Sequence, residues 1–225
     1  AVFNSMINNN VAGLAGGGIS VEDSLRAVIR NNQVANNDST ATTALAFDVD
    51  PNQSVPQPAG IVSRVHSINV ALLMTEVTDT LPSTDWLSFS QPFMWDNIVY
   101  QNRSFFWLNY DDPDTAIIET GLYPASCIAT APNGCDLANV DAYTVDFGVL
   151  NGLLDTGDLL DPRYSLLTNT LENQTDYLGD FGNITGNPDF LNPYFNGSRD
   201  SLDIPEFTTL QTAGAFDEGG NFIQV

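Results

Sequence analysis

The chain has 225 residues, with 28 acidic and 6 basic side chains and a formal net charge of −22. A chain of this charge does not bind nucleic-acid phosphates or an anionic membrane surface, since both need clustered Lys and Arg. A single histidine, His66, excludes three-His zinc and blue-copper centres, no Cys-x-x-Cys-His run offers a haem site, and no apolar run approaches the roughly 18 residues of a membrane span.

Short apolar segments bounded by Gly, Asn and Asp run through the first half of the chain and predict strands. The predicted strands are 18–21, 27–29, 44–49, 60–62, 68–73 and 97–100. The run Gly16-Gly17-Gly18 predicts a tight corner that has no room for side chains. Residues 48–60, which contain Pro51, Pro56 and Pro58, and residues 78–85 predict surface loops.

An internal repeat links three segments in the first half of the chain. Residues 6–12, 28–34 and 93–99 each read apolar, apolar, variable, Asn or Asp, Asn, variable, apolar. Aligned in this way, Asn10, Asn32 and Asn97 fall in register, at spacings close to one and three units of about 22 residues. Such a period predicts a solenoid in which asparagines at the bends adopt left-handed φ and their amides hydrogen-bond from coil to coil.

The repeat resembles a known group of proteins. Asn9-Asn10 followed by Gly16-Gly17-Gly18-Ile19, and then by the segment 28–37, is similar to the repeats of right-handed parallel β-helix proteins, which include bacterial surface proteins and pectate-lyase-like secreted enzymes. The resemblance covers residues 1–110. It implies an all-β fold, a right-handed parallel β-helix with long loops.

The second half loses the period. Residues 111–225 predict an irregular C-terminal cap or side layer packed on the β-helix of residues 1–110, and the alternative is a small α+β domain. Within it, residues 150–154 and 164–171 predict short helices, the second introduced by Asp161-Pro162-Arg163.

Two cysteines and six sequons point to export. Cys127 and Cys135 enclose a loop that contains Pro132-Asn133-Gly134, a strong turn sequence, so we predict a disulfide and an oxidising compartment. The alternative is two free or metal-binding thiols. The predicted N-glycosylation sites are Asn37, Asn52, Asn102, Asn173, Asn183 and Asn196. Together these features predict a secreted or cell-surface protein.

Calcium is the predicted cofactor, because Ca²⁺ takes carboxylate, amide and carbonyl oxygens presented by turns. Two acidic loops are candidates. The predicted ligands are Asp111, Asp112 and Asp114 in the first loop and Asp155, Asp158 and Asp161 in the second. The alternative interpretation is that these acids cap turns and face water.

Three patterns raise the question of carbohydrate chemistry. Arg64 and His66 alternate along a predicted strand and would share a face, an acid–base placement that the resemblance to lyases suggests, but a solvated strand face explains them as well. Asp111-Asp112 and Asp217-Glu218 are the acid pairs available to an inverting hydrolase, although an acidic chain forms such pairs freely. A run of aromatic residues forms either a sugar-stacking strip or, in the interpretation we favour, a hydrophobic seam beneath the C-terminal layer. The run comprises Trp95, Tyr100, Phe105, Phe106, Trp107 and Tyr110.

The expected function follows from the predicted fold. The end coil of a β-helix has unpaired backbone groups and a bare apolar interior, and this chain begins in repeat-like sequence. We therefore expect an upstream domain or a neighbouring subunit to cover the N-terminal coil. The expected function is a non-enzymatic structural or adhesion module of a larger protein or extracellular assembly, such as a filament, with glycans or a cationic protein as further partners. The alternative is a carbohydrate-binding module, or a polysaccharide lyase or glycoside hydrolase acting on an extracellular polysaccharide.

Overall fold

The structure is a computed structural model that describes residues 1–75, 88–111, 118–129, 144–168, 177–178 and 181–190. These residues form mostly strands with little helix, which confirms the predicted β class. The strands lie in four sheets, and all but two of the strand pairs are parallel.

The four sheets are named here A to D. Sheet A orders β1 (Val2–Phe3), β5 (Val28–Arg30), β9 (Phe93–Trp95) and β15 (Pro162–Arg163). Sheet B orders β2 (Met6–Asn8), β6 (Gln33–Ala35), β10 (Ile98–Tyr100), β16 (Leu166–Leu167) and β17 (Ile184–Thr185). Sheet C orders β3 (Val11–Ala12), β7 (Asp38–Ser39), β11 (Arg103–Asp111) and β12 (Ile118–Pro124). Sheet D orders β4 (Ile19–Val21), β8 (Ile61–Arg64), β13 (Phe147–Asn151) and β14 (Leu154–Asp155).

The chain visits the sheets in the order A, B, C, D three times. We call β1 to β4 the first layer, β5 to β8 the second, and β9, β10, β11 and β13 the third; β15 and β16 form a fourth layer and β17 a fifth. Parallel pairing thus continues beyond residue 110, because β13, β15, β16 and β17 each pair in parallel with an earlier strand. The boundary predicted at residue 110 does not coincide with the end of the parallel sheets.

Two-residue corners connect sheet A to sheet B. The first corner residue is left-handed, with φ of 51° at Asn4, 56° at Asn31 and 54° at Asp96, a conformation that Asn and Asp tolerate better than other side-chain-bearing residues. The second residue joins neighbouring layers: Asn97 Oδ1 accepts hydrogen bonds from the backbone N–H and the Nδ2 of Asn32, at 3.0 and 3.1 Å. The 65-residue step predicted between these two asparagines is confirmed, although it spans one layer and not three.

A second asparagine ladder follows the corner between sheets B and C. Asn10 donates to Asn37 Oδ1 from its backbone N–H and its Nδ2, at 3.0 and 2.9 Å. Asn37 donates in the same way to Asn102 Oδ1, at 3.1 and 2.8 Å. The partner of Asn10 is therefore Asn37, 27 residues away, and the predicted register of Asn10 with Asn32 is wrong.

The error has a simple cause. Each of the first three layers contains two asparagine corners five residues apart, so that in the second layer Asn31-Asn32 and Asn36-Asn37 look alike in the sequence. Matching Asn9-Asn10 to the nearer pair gives 22 residues, whereas the strand register joins Ile7 to Val34 and gives 27. Local sequence identifies the corners but not which corner stacks on which.

The core lies between the sheets and is built from inward columns of aliphatic side chains. Ile29 and Met94 pair in sheet A, and Val34 and Val99 pair in sheet B, each at most 1% exposed. Burying each such side chain contributes about 1.5–3 kcal/mol. The glycine corner is confirmed, since a Cβ on Gly17 would collide with the backbone carbonyl of Asp38.

Two predicted strands are wrong. Residues 68–73 belong to α1 (Ile68–Thr75), in which the carbonyl of Ser67 accepts from the backbone N–H of Ala71 at 2.9 Å. An apolar run of this length does not by itself distinguish helix from strand, and the serine before it favours a helix start. The segment 44–49 contains a short 3₁₀ helix, Ala44–Phe47. No helix in the part of the chain that the structure describes has the length and apolar character needed to cross a bilayer.

Two predicted helices are also wrong. Residues 150–154 form the hairpin between β13 and β14, where Gly152 turns with φ of +63°. Tyr164 is left-handed, with φ of 50°, which prevents a helix from running through it, and β16 pairs with β10. The predicted strands 18–21, 27–29, 60–62 and 97–100 are confirmed to within two residues by β4, β5, β8 and β10. Residues 48–60 contain no strand or helix, and 48–52 are exposed as predicted for a surface loop, whereas Ser54, Gln57 and Ala59 are buried. The loop predicted at 78–85 and residues 169–171 lie outside the described residues.

Candidate ligand-binding face

The outer side of sheet A carries an unusual set of exposed side chains. Because residues alternate between the two sides of a strand, Ile29 and Met94 point into the core and their neighbours point outward. One outward row crosses all four strands in register. It consists of Phe3, Arg30, Trp95 and Arg163.

Two aromatic rings lie parallel on this surface. Phe93 and Trp95, two residues apart on β9, stack with ring centroids 5.5 Å apart and an angle of 2° between their planes. Phe93 is 50% exposed and Trp95 is half-buried. Tyr164 is 67% exposed at the adjacent corner, where it adopts a left-handed φ that is costly for a bulky residue. Exposed aromatic side chains of this kind are more often found at binding surfaces than on inert ones.

Each arginine of the row is paired with a carboxylate. Arg30 Nε lies 3.3 Å from Asp96 Oδ2, and both side chains remain exposed to solvent. Arg163 donates to Asp161 Oδ2 from Nε at 3.0 Å and from Nη2 at 2.6 Å. The hydrogen bond with Asp161 raises the pKa of the Arg163 guanidinium above its usual value. The two pairs place no net charge on this surface of a chain whose net charge is −22.

We call this surface the aromatic–arginine face, defined by Phe3, Arg30, Phe93, Trp95, Arg163 and Tyr164. A shallow groove of about 350 Å³ borders it along the corner between sheets A and B. Its lining includes Asn4, Asn31, Gln33, Ser5, Met6 and Asp96. Ile98 also lines the groove, and Asp96 both lines it and pairs with Arg30, so the groove and the aromatic surface are continuous.

The sequence did not predict this face. The aromatic residues from Trp95 to Trp107 differ in burial and do not form one surface. Phe105 and Phe106 are fully buried, whereas Trp107 and Tyr100 are half-buried. The hydrophobic interpretation thus describes Phe105 and Phe106, and the side chain of Tyr110 lies outside the described part. The signal that was available is the two-residue alternation in Phe93-Met94-Trp95, which places the two rings on one side of a strand.

Arg64 and His66 do not meet. Arg64 Nη1 donates to the carbonyl of Gly152 at 3.4 Å, next to β13, whereas His66 Nδ1 lies 3.6 Å from Asp23 Oδ1, just after β4. These partners lie on opposite sides of β8. Hydrogen bonds with Ser67, above all from its backbone N–H, lower the pKa of Asp23 below the usual range of an aspartate. The acid–base arrangement considered for these two side chains is not formed.

The second acidic loop is dispersed over separate contacts. Asp155 Oδ1 accepts from the backbone N–H of Gly157 at 2.9 Å, Asp158 is exposed, and Asp161 pairs with Arg163. In the first loop, Asp112, Asp114 and the side chain of Asp111 lie outside the described residues. Nowhere within the described ranges do three or more His, Cys, Asp or Glu side chains lie close enough together to hold a metal ion. The calcium sites stay predictions.

Cys127 is disulfide-bonded and 2% exposed. Cys135 lies outside the described residues, so its role as the partner of Cys127 stays a prediction.

The ladders exclude two predicted glycosylation sites. Asn37 and Asn102 are 0% exposed, and their Nδ2 atoms, to which a glycan would be attached, each donate two hydrogen bonds in the interior. The predictions at these positions are corrected on that ground. The Nδ2 of Asn183 donates to Pro162, and Asn52 is exposed. Two further sequons lie outside the described residues, at Asn173 and Asn196.

Comparisons with protein-family models, with curated protein sequences and with solved structures find no match to this chain. The parallel β-helix therefore stays a prediction.

Proposed function

We propose that the chain is a structural or adhesion module of a secreted or cell-surface protein, built as a right-handed parallel β-helix with an irregular C-terminal cap. Support comes from the repeated order of sheets A to D and from the two asparagine ladders. The antiparallel strands β12 and β14 end sheets C and D, which is consistent with a cap. The disulfide at Cys127 is consistent with an oxidising compartment.

The observation that carries this proposal is the open first layer. Each of β1, β2, β3 and β4 is the edge strand of its sheet, so that a row of backbone groups lacks strand partners among the described residues. The interior is also uncovered there, because Ile7 is half-buried whereas Val34 and Val99, below it in the same column, are 0% exposed. Such an edge pairs readily with another strand.

Side chains in the first layer match the chemistry of a further parallel layer. Ser165 Oγ donates to the carbonyl of Arg163 at 2.9 Å and accepts the backbone N–H of Asn97 from the preceding layer at 3.1 Å. Ser5 Oγ makes the same local hydrogen bond, to Phe3 at 2.9 Å. By analogy, the Oγ of Ser5 can accept a hydrogen bond from a backbone N–H of a layer stacked ahead of the first layer, which an upstream domain or a neighbouring subunit would supply.

Hydrogen–deuterium exchange tests the proposal. We expect amides of residues 2–12 to exchange faster in the purified 225-residue chain than those of residues 28–39, because the first layer is paired on one side only and the second layer on both sides. In the native assembly, residues 2–12 should exchange as slowly as residues 28–39. The proposal fails if the isolated chain is a monodisperse monomer that already protects residues 2–12, or if the assembly leaves them unprotected.

Carbohydrate binding is the second candidate function. The observation that favours it is the aromatic–arginine face, where the parallel rings of Phe93 and Trp95 lie beside the exposed Arg30–Asp96 pair. A polysaccharide lyase or glycoside hydrolase, in contrast, needs a convergent acid and base, and Arg64 and His66 do not provide one.

A further inference from the structure

We propose that the aromatic–arginine face and the adjoining corner groove bind a neutral glycan chain. The inference rests on the second function proposed above and names its site and its ligand class. Its aromatic part lies on β9 in the third layer, whereas Phe3, Asn4 and Met6 belong to the first layer, so the glycan titrations use the purified 225-residue chain.

The apolar half of the site is the pair of rings on β9. A pyranose ring presents a face of C–H groups, which packs on an aromatic surface and loses little hydration when it does so. Phe93 and Trp95 stack on each other with centroids 5.5 Å apart, so each ring holds the other in place on a strand that is paired on both sides. A pyranose would pack on the outer, solvent-facing side of this pair, where Phe93 is 50% exposed. Tyr164 and Phe181 extend the aromatic surface toward the fourth layer, with the guanidinium of Arg163 4.8 Å above the Phe181 ring.

The polar half lies along the corner. Sugar hydroxyls both donate and accept hydrogen bonds, so a site for them needs both kinds of group. The Arg30 fork supplies donors and the Asp96 carboxylate supplies acceptors, and both side chains are about half exposed, at 54% and 44%. The amides of Asn4, Asn31 and Gln33 in the groove add both kinds. The groove's volume of about 350 Å³ lies at the lower end of the usual range for small-ligand sites.

Charge selects a neutral glycan over an acidic one. The two arginines of the face are balanced by Asp96 and Asp161, whereas the chain as a whole carries −22. A polyuronate or a sulfated glycan would meet a repulsive field without a compensating cationic patch. A peptide that binds by strand addition needs an unpaired edge, and β5 and β9 are interior strands of sheet A.

The test is a glycan array containing neutral, acidic and basic oligosaccharides, followed by calorimetric titration of the purified chain with the best neutral series. We expect binding to a neutral series, and we expect Trp95→Ala and Phe93→Ala each to weaken it by about tenfold or more, as truncation of an aromatic anchor does. Asp96→Asn, which keeps a residue suited to left-handed φ, should also weaken binding. Raising the salt to about 0.5 M should change the affinity less than twofold, because no net charge is involved.

Leu154→Ala is the matched control, since Leu154 is 68% exposed on β14, in a different sheet. It should leave binding unchanged, and circular dichroism and thermal melting should show that every variant stays folded. If the wild type binds a neutral glycan but Trp95→Ala, Phe93→Ala and Asp96→Asn bind equally well, carbohydrate binding stands and this site is wrong. If only acidic glycans or peptides bind, or if nothing on the array binds, the proposed ligand class is wrong and carbohydrate binding at this face falls with it.

Discussion

The guanidinium of Arg103 forms a two-pronged ion pair with the carboxylate of Asp38: Nε to Oδ1 and Nη2 to Oδ2 are both 2.8 Å. The two residues face each other in register on β11 and β7, and both side chains are buried. The Phe105 ring lies 5.2 Å from the guanidinium carbon. An arginine enclosed in this way depends on its partner, because water does not replace the carboxylate.

Asp38→Asn should therefore lower the free energy of unfolding by about 3–5 kcal/mol, the usual cost of leaving a buried charge unpaired. Urea denaturation at neutral pH measures it. Asp96→Asn is the control, since it removes an exposed ion pair with Arg30 and should cost less than about 1 kcal/mol. Equal effects of the two substitutions would show that burial of the Arg103 pair does not matter.

Substitution by glycine should destabilise the chain strongly at one asparagine of a corner and hardly at all at its neighbour. Asn31 is exposed with φ of 56°, a conformation that glycine adopts freely, so Asn31→Gly should be close to neutral. Asn32 is 3% exposed and bonds to both neighbouring layers, so Asn32→Gly should cost at least about 2 kcal/mol through unsatisfied buried groups. Thermal and urea unfolding of the two variants decide the question, and similar losses in both would argue against the ladder.

The asparagine ladder between sheets B and C ends at the carboxylate of Asp146, so we expect the free energy of unfolding to depend on pH. Burial raises the pKa of Asp146, although hydrogen bonds from Thr168 Oγ1 at 2.6 Å and Asn102 Nδ2 at 2.7 Å act in the other direction. The folded chain thus holds this proton more tightly than the unfolded chain. The resulting stabilisation is complete below the unfolded-state pKa of 3.8 and is lost as the pH rises through the higher folded-state value.

Asp146→Asn removes that titration and keeps an oxygen acceptor for Asn102. Relative to the wild type, the variant should gain stability as the pH rises from about 4 to 7, with the gain measured as the difference between urea midpoints at each pH. Subtracting the wild-type midpoint from that of the variant removes the contribution of the other acidic groups, because these groups titrate in both proteins. A difference that stays constant over this range would contradict the raised pKa.

Glycan attachment should follow exposure and not the sequon alone. In a host that glycosylates Asn-x-Ser/Thr, peptide mass spectrometry should find Asn52 modified and Asn37 and Asn102 unmodified in folded, secreted protein. Asn52→Gln should remove one glycan without affecting folding. A folded protein with a glycan on Asn37 or Asn102 would be incompatible with the ladder, because both amide hydrogens of each are used there.

Local chemistry in the sequence was sufficient to predict four of the six proposed strands, the glycine corner and the use of asparagine at bends. These features depend on a few neighbouring residues: φ tolerance at Asn31, lack of space at Gly17 and short β-branched runs such as Val28-Ile29. The helix α1 was missed because an apolar run has the same composition in either conformation.

The sequence does not predict which strands and side chains pair across long stretches of the chain. The stacking of Asn10 on Asn37 depends on strand register, which five-residue spacing leaves ambiguous. The Arg103–Asp38 pair joins residues 65 apart, and the aromatic–arginine face combines side chains from four strands. None of these contacts leaves a local pattern, so only the three-dimensional structure brings the residues together.

The unequal spacing of the layers has a consequence for engineering. Ile7 and Val34 pair across 27 residues, and Val34 and Val99 pair across 65, yet the same column of the core is kept. The entropy of closing a flexible loop grows only with the logarithm of its length, so a moderate insertion between two strands costs little. Residues 48–52 are exposed and lie outside the strands and helices, so they are a suitable place to graft a foreign epitope, which the chain would display while both asparagine ladders stay intact.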